Sequence, residues 1–76
     1  MLNQILKKEE IEFFLSKDEE EIFDYLEKSE NESMLEKLAD YYSDEIPYGY
    51  QNGDDGVPAE YIGTKLLPRD LDYYKK

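Results

Sequence analysis

Acidic side chains are the residues of this chain whose types and spacing could do chemistry. Two sets recur at helical spacing, and each would form a row of carboxylates along one helix. The sets are Glu20, Asp24 and Glu27, and Glu32, Glu36, Asp40 and Asp44. The longer row would extend roughly 18 Å, with a charge about every 6 Å. Carboxylates held in this way can bind cations, exchange protons or attract a basic macromolecule.

Catalysis has little support in the sequence. The chain has no histidine and no cysteine, so the usual general base near neutral pH and a thiolate nucleophile are both missing. Its 20 acidic residues would permit a two-carboxylate acid–base site, but a chain of 76 residues has little room for a deep pocket beside its core. We therefore expect no enzymatic activity and no cofactor.

The segment of residues 51–56 has the composition of a calcium-binding loop. An EF-hand loop requires a Glu six residues after its central glycine. Counting from Gly56, that position is Ile62. We therefore predict a polar turn here and no metal site.

The overall charge restricts the possible partners. With 20 acidic and 9 basic residues the formal net charge is −11, which repels phosphate and argues against direct nucleic-acid binding. The first residues lack the basic lead and apolar stretch of a signal peptide, and no apolar run is long enough to span a membrane. Together with the absence of cysteine, this favours a cytoplasmic protein.

Periodicity predicts a mainly α fold, a small bundle of three to four short helices in a single domain over residues 1–76. Residues 1–45 form an acidic, helical part with 15 acidic and 5 basic side chains. Residues 46–76 form a turn-rich, tyrosine-rich part with 5 acidic and 4 basic side chains. The acidic rows therefore lie in the part that the pattern predicts to be helical.

Apolar residues at i, i+3, i+4 spacing predict a first helix over residues 2–15, with Phe13 off the apolar stripe. Ser16, with Glu19 three residues later, has the spacing of a capping box and predicts a second helix over residues 17–28, with Tyr25 at the flank of its stripe. Ser29 with Glu32, or Ser33 with Glu36, would cap a third helix that continues to about Tyr42. On that helix Leu35, Leu38, Ala39 and Tyr42 form one face, and the longer acidic row lies roughly opposite.

Glycine and proline break both periods after residue 43. Residues 46–57 are predicted to form a loop, or a short hairpin around the Asn52-Gly53 turn with Tyr48 and Tyr50 on one strand face. Pro58 can open a short helix over residues 59–66, which Pro68 would end, and a last turn would cover residues 69–76.

Tyrosine is concentrated in the second part of the chain. Seven of the eight tyrosines lie within residues 41–76. We expect Tyr42, Tyr61 and one of Tyr73 or Tyr74 to complete a small core. Tyr48 and Tyr50, in the loop that also carries Asp54 and Asp55, are candidates for an interface because tyrosine combines apolar area with a hydrogen-bonding tip.

The acidic rows can be interpreted in two ways. A solvated surface that keeps a small protein soluble would explain them, since acidic residues do that well. A binding surface for a basic protein would also explain them, and it accounts for like charges being tolerated at i, i+4 when lysine could have been interleaved. We favour the binding surface, with carboxylates in positions that nucleic-acid phosphates would otherwise occupy.

One stretch resembles a known family. The sequence Ser-Glu-Asn-Glu-Ser-Met-Leu-Glu-Lys at residues 29–37 resembles the start of a helix in a small phage-encoded anti-CRISPR inhibitor of an RNA-guided nuclease. The resemblance implies that Glu30, Glu32 and Glu36 would cover the basic groove with which such a nuclease reads DNA. That family also has a three-stranded sheet, which this sequence does not predict.

The resulting hypothesis is a stoichiometric inhibitor that mimics DNA and binds the basic nucleic-acid-binding surface of a nuclease or another DNA-processing defence enzyme. The proposed contacts are Glu20, Asp24, Glu27, Glu32, Glu36, Asp40, Asp44, Tyr48, Tyr50, Asp54 and Asp55. An immunity protein or antitoxin that neutralises a nuclease toxin would need the same surface. A small adaptor subunit would instead dock through Tyr48, Tyr50, Tyr61 and Tyr73. The sequence leaves the oligomeric state open.

Overall fold

The structure is a computed structural model that describes residues 2–75. Its α-helices are α1 Lys8–Leu15, α2 Glu19–Glu27, α3 Glu32–Tyr41, α4 Tyr48–Gln51, α5 Pro58–Tyr61 and α6 Leu67–Tyr74. Short 3₁₀ turns cover Leu2–Gln4 and Ser29–Asn31, and a π-helical turn, Ile62–Leu66, joins α5 to α6. Residues 2–75 contain no strand. The predicted mainly α fold is confirmed, and no hairpin forms near residues 46–57.

The helices bury one shared apolar core. Its buried members are Leu2, Leu6, Ile11, Phe14, Ile22, Leu26, Leu38, Tyr42, Ile46, Ala59, Ile62, Leu66, Leu67 and Leu71. They come from both the acidic and the tyrosine-rich parts of the chain. Of the face predicted for the third helix, Leu38 and Tyr42 are fully buried, while Leu35 and Ala39 are half-buried against the core.

The first predicted helix is divided in two. Leu2–Gln4 forms a 3₁₀ turn that buries Leu2, and α1 begins only at Lys8. At the break, the Lys7 backbone N–H donates to the Glu10 carboxylate at 2.7 Å, which satisfies a donor that a continuous helix would have used internally. The apolar spacing is preserved across the break, and for this reason the pattern did not reveal it.

The predicted cap of the second helix is wrong. Asp18, not Ser16, is the N-cap of α2: its carboxylate accepts from the Glu21 N–H at 2.9 Å, and the Glu21 carboxylate accepts from the Asp18 N–H at 3.0 Å. Ser16 instead ends α1, where its hydroxyl donates to the Phe13 carbonyl oxygen at 2.6 Å. Both pairs, Ser16–Glu19 and Asp18–Glu21, have capping-box spacing. The negatively charged Asp18 is the one that caps the helix, where the helix dipole favours negative charge.

The third helix begins at Glu32, after the 3₁₀ turn Ser29–Asn31. Asn31 occupies the N-cap position but makes no side-chain cap hydrogen bond; its amide group donates instead to the Tyr25 carbonyl oxygen of α2 at 2.8 Å. The predicted serine caps at Ser29 and Ser33 are therefore wrong. The helix ends at Tyr41, one residue before the predicted limit.

Residues 46–57 form a short helix and a turn, not a hairpin. The backbone N–H groups of Tyr50 and Gln51 both donate to the Pro47 carbonyl oxygen, at 2.9 and 3.1 Å, which closes helix α4. Gly53 has φ +87° and follows the C-cap Asn52. The Asn-Gly pair therefore terminates a helix, a role that left-handed glycine also performs, and does not join two strands.

The short helix and the last turn that the sequence predicts near the C-terminus are continuous in the structure. Pro58 opens α5 as expected, but the π-helical turn carries the chain directly into α6, which includes Pro68. In the π-helical turn the Leu67 N–H donates to the Ile62 carbonyl oxygen. Pro68 lies in the first turn of α6, a position at which proline is well tolerated because its fixed φ suits the start of a helix. The predicted end at Lys76 lies outside the described residues.

Candidate acidic binding surface

Both acidic rows lie on the outer faces of their helices. On α2, the buried residues Ile22 and Leu26 each follow an acidic residue of the shorter row by two positions, which is about 200° around the helix. On α3 the buried residue is Leu38, two positions before Asp40. The acidic rows therefore point away from the core, as the sequence predicts. The members of both rows are exposed: Glu20, Asp24, Glu27, Glu32, Glu36, Asp40 and Asp44.

Helices α2 and α3 are neighbours, so the two rows lie on adjacent elements. The link Ser29–Asn31 and the hydrogen bond from Asn31 to Tyr25 hold the end of α2 against the start of α3. Asp44 differs from the rest of its row because α3 ends at Tyr41 and Asp44 lies in the following turn. The regular spacing on α3 therefore covers Glu32, Glu36 and Asp40, about 12 Å.

The ion pairs of residues 2–75 leave both rows without a cation. Arg69 binds Glu45 at 2.7 Å and Asp70 at 3.0 Å, and Lys75 lies 3.9 Å from Asp72. None of these three pairs includes an acid of either row. The hydrogen bonds that Arg69 donates to Glu45 and Asp70 raise the pKa of its guanidinium, which therefore stays charged. Each of these pairs thus uses a cation of α6 or of its C-cap, and none of them involves the acids of the two rows.

The tyrosine-bearing loop is ordered by its own contacts. The Gln51 side-chain amide donates to the Ile46 carbonyl oxygen at 2.7 Å and, at 3.4 Å, to that of Ser43. The Asp55 N–H donates to the Gly49 carbonyl oxygen at 2.9 Å. These bonds place α4 and its turn beside the segment that carries Asp44.

Four residues of the loop were predicted to contact a partner, and three of them are available to do so. Tyr48 is 74% exposed, and Asp54 and Asp55 are exposed. Tyr50 is half-buried because its ring packs on Tyr61, with centroids 4.8 Å apart. Tyr50 is therefore partly used by the protein itself.

The tyrosines expected in the core differ in how far they are buried. Tyr42 is fully buried, and Tyr61 and Tyr74 are half-buried against the core. Tyr73 is 62% exposed, so the core uses Tyr74 of that pair. Among residues 2–75, no group of three or more acidic side chains is arranged to hold a metal ion.

Sequence reasoning missed one surface feature, the exposed ring of Phe13. Phe13 is 38% exposed and packs against Tyr25 of α2, with ring centroids 5.0 Å apart. The signal was present in the sequence, because Phe13 falls off the apolar stripe of its helix and Tyr25 lies at the flank of the next one. The two rings lie beside Asp24, with which they line one shallow groove.

Comparisons with known proteins add no relative: no family model, curated protein or solved structure matches the chain. No helix of residues 2–75 has the length and apolar character needed to cross a membrane.

Proposed function

We propose that this protein is a stoichiometric inhibitor that binds the basic nucleic-acid-binding surface of a nuclease or another DNA-processing enzyme. The observation that carries the proposal is the pair of exposed acidic rows on α2 and α3, none of whose members takes part in an ion pair within residues 2–75. Unpaired like charges cost stability at i, i+4, and a cationic groove on a partner would offset that cost on binding.

The rows would act as substitutes for phosphates. Each helix carries a carboxylate about every 6 Å, whereas one DNA strand carries a phosphate about every 3.4 Å along the axis. A single row therefore has roughly half the charge density of a DNA strand. Two rows on adjacent helices, extended by Asp44 and the loop acids Asp54 and Asp55, reduce that difference.

Inhibition follows from competition for one surface. A net charge of −11 attracts a basic cleft over a Debye length of about 8 Å at physiological salt and speeds association. Once bound, the carboxylates occupy the cleft where DNA would lie. The target class that we favour, a defence nuclease of the kind that anti-CRISPR proteins inhibit, comes from the resemblance of residues 29–37 to that family.

The experiment is a pull-down from host lysate at low and high salt with three forms of the protein. One is the wild type, one carries Glu36→Lys and Asp40→Lys, and the matched control carries Glu12→Lys and Asp72→Lys. Both variants have a net charge of −7, two reversals adding four to −11, and all four residues are exposed.

A DNA-binding enzyme should elute from the wild type and the control as salt rises, and it should be lost or strongly reduced on the first variant. The purified enzyme should then lose DNA binding when the wild-type protein is added. Equal capture by both variants would show that the α3 row is not the interface. Capture of a partner that resists salt and has no basic groove would overturn the proposal.

An immunity protein that neutralises a nuclease toxin would use the same surface, and a toxin gene beside the gene for this chain would identify it. The exposed rings of Tyr48 and Tyr73 favour a second candidate, an adaptor that docks through its tyrosine-rich part. For the adaptor, Tyr48→Ala would reduce capture, and the charge reversals on α3 would not.

A further inference from the structure

Three aromatic rings meet where α1 packs against α2. Phe13, Phe14 and Tyr25 contact one another with ring centroids 5.0 to 5.6 Å apart, in edge-on or tilted arrangements. Phe14 is buried, whereas Phe13 is 38% exposed and Tyr25 is half-buried. The cluster therefore has a buried base and an exposed edge formed by Phe13 and Tyr25.

The exposed edge lines a groove of about 190 Å³. Its lining residues, which define the aromatic–acidic groove, are Glu9, Glu10, Phe13, Phe14, Tyr25 and Met34. The lining combines three aromatic rings, the thioether side chain of Met34 and two glutamates. No lysine or arginine is among the lining residues. A groove with this lining is complementary to a side chain that is flat, apolar on its faces and positively charged.

The structure shows that a cation is already accepted at this cluster. The Lys17 ammonium lies over the Phe13 ring, 5.1 Å from its centroid. Lys17 lines a separate groove that shares Phe13 and Tyr25 and also includes Glu21, Asp24 and Lys28. The Phe13 ring therefore binds a cation of the chain, whereas the aromatic–acidic groove is lined by no lysine or arginine.

We propose that the aromatic–acidic groove binds an arginine side chain of the protein partner. An arginine fits better than a lysine because the planar guanidinium stacks on aromatic faces while it donates to carboxylates. The proposal rests on the proposed function, since it assumes a basic partner. It adds to that function an aromatic anchor beside the acidic rows: Asp24 of the α2 row lines the groove that adjoins Phe13 and Tyr25.

Glu9 is the carboxylate best placed to meet the guanidinium. The Glu10 carboxylate already accepts from the Lys7 backbone N–H at 2.7 Å. Glu9 is exposed and belongs to none of the ion pairs of residues 2–75. In the complex, the rings would provide contact area and Glu9 would provide the charge-assisted hydrogen bond.

The test uses an octa-arginine peptide, with octa-lysine for comparison, and isothermal titration of four forms of the protein. These are the wild type, Phe13→Leu, Tyr73→Leu as the matched exposed aromatic, and the double variant Glu36→Lys with Asp40→Lys. Phe13→Leu should weaken octa-arginine binding about two- to fivefold. Tyr73→Leu should leave the affinity for octa-arginine unchanged. Loss of the Phe13 ring should weaken the binding of octa-lysine less than that of octa-arginine.

A second measurement on the wild type does not depend on any variant. Bound octa-arginine should show nuclear Overhauser contacts between its side-chain methylene groups and the rings of Phe13 and Tyr25, with upfield shifts of those methylene signals. Contacts only with residues of α3 would overturn the proposal.

The outcomes separate this inference from the proposed function. If Phe13→Leu binds as the wild type does while the α3 double variant binds more weakly, the aromatic anchor is wrong and the acidic surface stands. If Phe13→Leu weakens binding and the double variant does not, the anchor stands and the α3 row is not the interface. If neither changes affinity, both fail.

Discussion

The hydroxyl of Tyr42 donates a hydrogen bond of 2.6 Å to the carboxylate of Asp70. Tyr42 follows the end of α3 and is fully buried, and Asp70 lies on α6, 28 residues away in sequence. Arg69 then joins Asp70 to Glu45, so one chain of polar contacts connects the two halves of the protein. Within residues 2–75, these polar contacts connect the acidic helical part to α6.

Replacement of Tyr42 by phenylalanine tests the strength of this connection. The ring and its packing would remain, and only the hydroxyl would be lost. Because the acceptor is charged, we expect the free energy of unfolding at pH 7 to fall by about 1.5 kcal/mol. Asp70 would keep Arg69 as a partner, which limits the loss. Urea denaturation followed by circular dichroism measures it, and a variant as stable as the wild type would show that the bond contributes nothing.

The same tyrosine predicts a loss of stability at alkaline pH. Burial, and then the hydrogen bond to Asp70, raise the pKa of Tyr42 well above its usual value near 10. The folded protein therefore keeps this proton to a higher pH than the unfolded chain does. The stability that it contributes is complete below about pH 10 and is lost as pH rises above that value, by up to about 1.4 kcal/mol per pH unit.

The measurement is the free energy of unfolding between pH 9 and 11.5 for the wild type, Tyr42→Phe and the exposed control Tyr73→Phe. The decline should be less steep in Tyr42→Phe and unchanged in Tyr73→Phe. Equal slopes in all three proteins would contradict the assignment of the alkaline transition to Tyr42.

Gly63 lies in the π-helical turn between α5 and α6, where the backbone comes close to that of α2. A Cβ atom at this position would lie 2.9 Å from the Cα atom of Phe23 and 3.0 Å from its backbone nitrogen. In an open helix, Gly→Ala would stabilise by up to about 1 kcal/mol. Here the contact is with backbone, so α2 would have to move, and we expect Gly63→Ala to destabilise by about 2 kcal/mol.

Gly53→Ala is the control for Gly63→Ala. Gly53 has open space around it but a φ of +87°, so its replacement should cost about 1 kcal/mol through backbone strain alone. Thermal unfolding would rank the two variants. A Gly63→Ala protein as stable as the wild type would show that the two helices can separate without cost.

The start of α2 also gives a direct test. Asp18→Ala should destabilise by about 1 kcal/mol because it removes the acceptor for the Glu21 N–H. Ser16→Ala should cost less, since Ser16 only donates to the Phe13 carbonyl at the exposed end of α1. If Ser16→Ala is the more damaging change, the helix begins where the sequence pattern placed it.

The cap of α2 illustrates what could be predicted from the sequence. Helix content, the apolar stripes and the outward direction of the acidic rows all follow from local periodicity, and all agree with the structure. The choice between Ser16 and Asp18 does not, since both have an acidic residue three positions later. That choice depends on where α1 ends, which local spacing does not specify.

The C-terminal half was harder to predict because its glycines and prolines act through tertiary contacts. Gly63 weakened the helix prediction, yet it is the residue that lets the helix lie on Phe23. Pro68 predicted an end, yet it lies in the first turn of α6, which directly follows the π-helical turn. The partial exposure of the Phe13 and Tyr25 rings depends on how α1 packs beside α2, which periodicity does not specify.

Repulsion along α3 gives the last prediction. Glu36 lies four residues from both Glu32 and Asp40, and all three are exposed. Glu36→Lys converts two repulsions at i, i+4 into attractions, so we expect it to stabilise the protein by about 0.5 to 1 kcal/mol at low salt. Salt screens both the repulsion and the new attraction, so the difference should shrink toward 0.5 M NaCl while the wild type itself gains stability.

Glu12→Lys is the matched control for this prediction. It makes the same change in net charge, but the attraction that it gains to Glu9 at i, i+3 is offset by the attraction to Lys8 that it loses at i, i+4. Thermal unfolding in 20 mM and 500 mM NaCl would compare the three proteins. If both variants gain equally in stability, the gain comes from the smaller net charge and not from relief of repulsion along the α3 row. A gain confined to Glu36→Lys means that the row is costly to the free protein, and this is the cost that a cationic partner would offset.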